Sequence, residues 1–236
     1  MTIAALTTYR SEEHPNMLWL EVETEDGVTG LGETFYAAEA VEAYVHANLA
    51  PIVLGLSAID IEAVHHRTRP YIGFVAASTE LRARSALDIA LWDALGKVTG
   101  QPVSVLLGGR VRDQIPVYNT CAGTRYVRGP KLGTTENFGI RSGGKADDFE
   151  DLHGFLNDPV GLAGSLLDMG IDSMKIWPFD YAAEATQGQF ISPADLAKGL
   201  APFEAIRKAY GERMQLSAEL HGMWNLPESR IICQAL

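Results

Sequence analysis

The chain has 236 residues, 47% of them hydrophobic and 21% charged, proportions that describe a globular protein of one or two domains. Its formal net charge of -11 argues against nucleic acid and against anionic membrane surfaces as partners. Residues 1–10 lack the basic start and apolar core of a leader, no run reaches membrane-spanning length, and two cysteines read as reduced point to a cytoplasmic location.

Ile3–Tyr9 is rich in β-branched and apolar residues and reads as a strand. Met17–Thr24 alternates and leads into an Asp26-Gly27 turn, with residues 28–34 returning as the partner strand. The segment is therefore expected to be a three-stranded antiparallel meander. Three helices should follow. Residues 37–49 stop before Pro51, and residues 60–69 carry Asp60 as N-cap and Pro70 as stop. The third helix has Leu87, Leu91, Ala94, Leu95 and Val98 at helical spacing. Ser78 or Thr79 caps its start, and Gly100 with Pro102 ends it. His65 and His66 read as surface residues, and Asp93 with Lys97 as a solvated face. The whole segment, residues 1–112, should form an α+β domain.

Residues 113–236 open a different pattern. Residues 116–120 read as a short buried strand, followed by a long irregular stretch over 122–158. Loops of this length are commonly functional. Arg125, Arg128, Lys131, Arg141 and Lys145 face the single acid Glu136 between residues 125 and 145, a balance suited either to drawing in an anion or to a solvated surface. Residues 159–169 read as a helix closed by Gly170. Cys121 and Cys233 lie in apolar surroundings and read as reduced core residues.

Two stretches carry the chemistry: Ser173-Met-Lys-Ile-Trp-Pro-Phe-Asp180 and Gln215-Leu-Ser-Ala-Glu-Leu-His-Gly-Met-Trp-Asn225. Each begins as a buried parallel strand and ends in polar side chains, with a long helix over 193–210 between them and a last helix from Pro227. In α/β barrels the reacting groups sit at the C-terminal ends of the strands, which brings Lys175, Glu219 and His221 together. A carboxylate beside an ammonium and an imidazole suggests metal-assisted proton transfer. Lys175 and Glu219 can alternatively be a structural ion pair, and His221 a hydrogen-bond partner behind the site. Trp177 reads as a wall of the pocket. Asn225, Arg125 and Arg128 are candidate substrate contacts.

Gly27-Val-Thr-Gly-Leu-Gly-Glu33, Ser85-Ala-Leu-Asp-Ile-Ala-Leu-Trp-Asp93, Gly100-Gln-Pro-Val and Leu106-Leu-Gly-Gly109 resemble the capping domain of the enolase superfamily. Within it the chain is most similar to the mandelate racemase/muconate lactonizing enzyme family. The resemblance covers the chain outside residues 122–158. It implies an α+β cap over a (β/α) TIM-like barrel, and Mg²⁺ stabilising the enediolate formed when a base removes the proton α to a substrate carboxylate. By the same resemblance Lys175 neutralises that carboxylate, as the first lysine of a Lys-x-Lys motif. The second lysine, a base in resembling enzymes, is replaced by Trp177. Glu219 takes the place of the first metal ligand, usually Asp. His221 matches the general acid of some acid-sugar dehydratases of the family. A Mg²⁺-dependent acid-sugar dehydratase acting on a small carboxylate, as a homo-oligomer, is thus the expected function. A racemase or epimerase of the same family, or a non-catalytic remnant, is the alternative. An eight-stranded barrel takes about 250 residues and only about 120 follow the cap, so the barrel is expected to be incomplete and the chain alone inactive.

Overall fold

The computed structural model describes residues 1–70, 78–123 and 150–236. Within these the chain forms two compact units, Met1–Asp113 and Gln114–Leu236.

The first unit is built on β1 (Ile3–Tyr9), β2 (Met17–Thr24) and β3 (Thr29–Phe35), paired antiparallel in that order. Alternation along β2 puts Leu18, Leu20 and Val22 fully inside, where helices cover them. Those helices are α1 (Ala38–Tyr44), α2 (Ala50–Val53), α3 (Ile61–Thr68) and α4 (Thr79–Thr99), with a short α5 (Val103–Leu106) after them. Pro51 does not stop the first helical run, contrary to the sequence expectation. A π turn over Val45–Leu49 carries the Ala50 N–H to the Val45 carbonyl. The helix then restarts with Pro51 in its first turn, where a missing N–H costs nothing. Asp60 and Ser78 occupy the N-cap positions of α3 and α4, but neither side chain makes a capping bond. Gly100 closes α4 in the left-handed conformation that a residue without Cβ adopts freely.

Asp93 and Lys97 are not merely a solvated face. Asp93 Oδ2 accepts the Leu31 N–H at 2.8 Å, and Lys97 Nζ donates to the Thr29 carbonyl at 2.8 Å. Arg82 donates to the Phe35 carbonyl at 2.7 Å. Side chains of α4 therefore satisfy backbone groups of β3, an edge strand.

The second unit has its own core. Two parallel strands, β4 (Ser173–Ile176) and β5 (Gln215–Ala218), pair in register Lys175 to Ser217 and Ile176 to Ala218. Around them lie α6 (Asp151–Asn157), α7 (Pro159–Asp168), α8 (Asp180–Thr186), α9 (Pro193–Tyr210) and α10 (Leu226–Ala235). Side-chain caps start three of them: Asp158 on Gly161, Ser192 on Asp195, and Asn225 on Glu228.

Three expectations for this unit are corrected, and one helix is added. Residues 116–120 are not a buried strand, because only Asn119 bridges to Met174 while its neighbours are exposed. The 122–158 stretch ends in a helix, α6, whose Leu152 and Phe155 are core residues. Asp180 starts a further helix, α8, that short-range pattern did not suggest. Cys121 is buried but Cys233 is exposed. Arg125, Arg128 and the rest of the basic stretch 125–145 fall outside the described residues. Among the described residues no helix is long and apolar enough to cross a membrane.

Candidate functional site

Lys175, Glu219 and His221 converge at the C-terminal ends of β4 and β5. Lys175 is the third residue of β4, and its flanking Met174 and Ile176 point into the core, so alternation turns the ammonium to the opposite face. Glu219 directly follows β5, and its N–H donates to the Ile176 carbonyl at 2.9 Å, extending the parallel ladder by one residue. The Lys175 Nζ to Glu219 Oε2 distance is 3.1 Å. Lys175 also donates to the Tyr118 hydroxyl at 3.3 Å and lies 5.0 Å from the centre of that ring. Burial opposes the charge on Lys175, but Glu219 and Tyr118 outweigh it and hold the ammonium above its ordinary pKa. Burial likewise opposes the Glu219 charge. The His221 backbone N–H and Lys175 outweigh it and keep this carboxyl below the usual range.

His221 reaches the site by a turn and not by strand alternation. β5 ends at Ala218, and His221 has φ 49°, in the left-handed region. Glu219 Oε1 holds that turn by accepting the backbone N–H groups of Leu220 at 3.1 Å and His221 at 2.9 Å. The imidazole Nδ1 lies 2.7 Å from Asp180 Oδ2. Asp180, whose side chain is 0% exposed, is the first residue of α8. Burial pulls the His221 pKa down, but the Asp180 hydrogen bond and charge, with the charge of Glu219, hold it above the ordinary imidazole value. Burial pushes the Asp180 carboxyl up, offset in part by His221.

Trp177 is buried, donates its indole N–H to the Thr120 carbonyl at 3.3 Å, and meets the His221 ring edge-on at 5.5 Å. Asn225 caps α10 through its side-chain oxygen, while its amide nitrogen approaches the Gln189 backbone and side-chain oxygens at 3.5 and 3.4 Å. The sequence reading missed Tyr118 and Asp180. Each pairs with a residue dozens of positions away, so no local spacing signals them.

Among the described residues no three His, Cys, Asp or Glu side chains form a metal-holding group. The donor chemistry present is one ionised carboxylate, Glu219, a hard oxygen ligand of the kind Mg²⁺ accepts.

Residues 3–108 match the family described as mandelate racemase / muconate lactonizing enzyme, N-terminal domain. The full chain is 31% identical over 242 residues to a D-galactonate dehydratase of Ralstonia pickettii, covering 52% of that protein. Another D-galactonate dehydratase, from Xanthomonas campestris, is 41% identical over 128 residues, which are 53% of this chain and 32% of the relative. Among solved structures, an enolase of the mandelate racemase subgroup from Agrobacterium tumefaciens is 42% identical with a TM-score of 0.82. It matches all of this chain and 55% of its own. The chain thus spans about half the length of the full-length relatives it matches.

Proposed function

Since residues 3–108 belong with the N-terminal domain of the mandelate racemase/muconate lactonizing enzyme family, we propose that the chain carries the carboxylate-binding, metal-binding and general-acid groups of an acid-sugar dehydratase. The observation that carries the proposal is the juxtaposition of Lys175, Glu219 and the Asp180–His221 pair at the ends of two adjacent parallel strands.

Lys175, held charged, neutralises the carboxylate of the incoming acid, and its present ion pair with Glu219 marks where a second anion would be received. Glu219 supplies one oxygen ligand to a divalent cation, Mg²⁺ by family likeness. That ion, when bound, lowers the energy of negative charge developing on the substrate carboxylate. His221, held toward its imidazolium form, gives a proton to the β-hydroxyl as it leaves. Trp177, at the place where resembling enzymes carry a second lysine, cannot accept a proton from carbon, so this strand offers no base for racemisation.

The test uses the whole enzyme that contains this chain, with a panel of aldonates including D-galactonate. His221→Asn should lower dehydration by about 10²–10⁴-fold while α-proton exchange with D₂O continues. Glu219→Gln should stop both. Wild-type dehydration by His221→Asn would overturn the assignment.

A further inference from the structure

Asp180 has no part in the ligand set or carboxylate binding described above, yet it is the most thoroughly buried charged side chain of the described residues, at 0% exposed. A carboxylate removed from water is costly unless something specific holds it. Its position at the start of α8 does not account for it. No side-chain capping bond is made there, and Oδ1 has no hydrogen-bond partner among the described residues. The one hydrogen bond it makes in the described structure goes from Oδ2 to His221 Nδ1, at 2.7 Å.

The rest of His221 is constrained independently. Glu219 Oε1 accepts its backbone N–H, which stabilises the left-handed φ of 49°, and Trp177 bounds the ring with an interplanar angle of 89°. One carboxylate therefore holds the backbone of His221 and a second holds its ring. What remains to be decided is which ring nitrogen carries the exchangeable proton, and Asp180 addresses that question directly. In its ionised form Asp180 can only accept, and with Oδ2 2.7 Å from Nδ1 that form takes the Nδ1–H, leaving Nε2 as the nitrogen that faces the substrate proton transfer.

We infer that Asp180 is a positioning residue that fixes His221 in the Nδ1–H state, so that Nε2 is the nitrogen that delivers the proton during loss of the β-hydroxyl. This rests on the dehydratase reading for its catalytic consequence, though not for the tautomer itself. In the step, the electron pair left at the α-carbon by proton removal forms the carbon–carbon double bond as the β-carbon–oxygen bond breaks. The leaving oxygen keeps that bond's pair, takes the proton from Nε2 and departs as water. His221 is left neutral with its Nδ1–H still on Asp180, and the α-proton stays on the enzymic base that removed it, so charge and protons balance with that base as the second partner.

The first measurement is made on this chain without substrate. Histidine-selective ¹⁵N labelling reads the His221 tautomer at a pH where the ring is neutral, and a protonated Nδ1 with an unprotonated Nε2 is expected. A His221 in the Nε2–H form overturns the inference, whatever reaction the enzyme catalyses. The second is made on the whole enzyme. Asp180→Asn should lower the dehydration kcat by about 10²-fold or more, with KM and α-proton exchange unchanged. Equal loss of exchange and dehydration, or an unchanged kcat, also overturns it. If the wild-type enzyme dehydrates no aldonate, the functional reading fails while the tautomer result still decides the role of Asp180. Should Asp180→Asn not fold, the tautomer in the unsubstituted chain remains decisive.

Discussion

Cys121 and Cys233 place one buried and one exposed thiol in the same chain. Cys121 is 0% exposed, with its N–H on Asn119 Oδ1 at 2.7 Å. Burial, aided by the charge of Asp151, pushes its thiol up to about 12. Only a thiolate is a good nucleophile, and at pH 8 that value leaves about one Cys121 in 10⁴ ionised. Iodoacetamide at pH 8 should therefore modify Cys233 in the native protein, and Cys121 only after denaturation. Peptide mapping showing both labelled at similar rates would contradict this placement. At this scale the sequence shows types and not partners. Lys175, Glu219 and His221 could be singled out because their short-range pattern places them at strand ends. Asp180 lies 41 positions from His221 and Tyr118 lies 57 from Lys175, and only the folded chain closes those distances.

Strand β3 and helix α4 show how one element dictates the composition of another. A Cβ on Gly30 would collide with the Ala90 carbonyl oxygen, and one on Gly32 with the Ala86 carbonyl oxygen. The helix backbone lies directly on the strand at these two points. The small residues Ala86, Ala90 and Ala94, all fully buried, complete the close approach from the helix side. Gly32→Ala should thus force strand and helix apart and cost about 1–3 kcal/mol. Urea denaturation should show a lower midpoint, and an unchanged one would mean the helix shifts without penalty. Glycines at alternate positions of a strand were legible as a place of close approach. The identity of the approaching element was not, since it lies more than 50 residues along the chain. The π turn before Pro51 was equally hidden. A proline normally predicts a helix stop, and only the packing of Val45, Leu49 and Val53 in one core favours continuing past it.

At the level of the whole molecule, the described residues form two hydrophobic clusters. One is built from residues between Ile3 and Leu91, the other from residues between Cys121 and Ile232. Each unit buries its own apolar side chains, the requirement for a domain that folds alone. A fragment of residues 1–113 should therefore unfold in one cooperative thermal transition, followed by circular dichroism. Within that fragment Leu20→Ala, which empties a fully buried site, should cost about 2–5 kcal/mol. A fragment without a cooperative transition would refute the independence of the first core.

The sequence by itself determined the antiparallel meander, the long α4, the parallel pair β4–β5 and the family likeness of the N-terminal unit, because strand alternation, helical spacing, glycine placement and local motifs are read over a few residues at a time. Tertiary structure alone decided that Glu219 holds the His221 turn, that Tyr118 and Glu219 share Lys175, and that Asp180 lies beneath the imidazole. Those arrangements depend on burial and on contacts between residues far apart in the chain. They exist only once α8 and the two strands have packed around one core, where the loss of water makes each charged group answer to its neighbours.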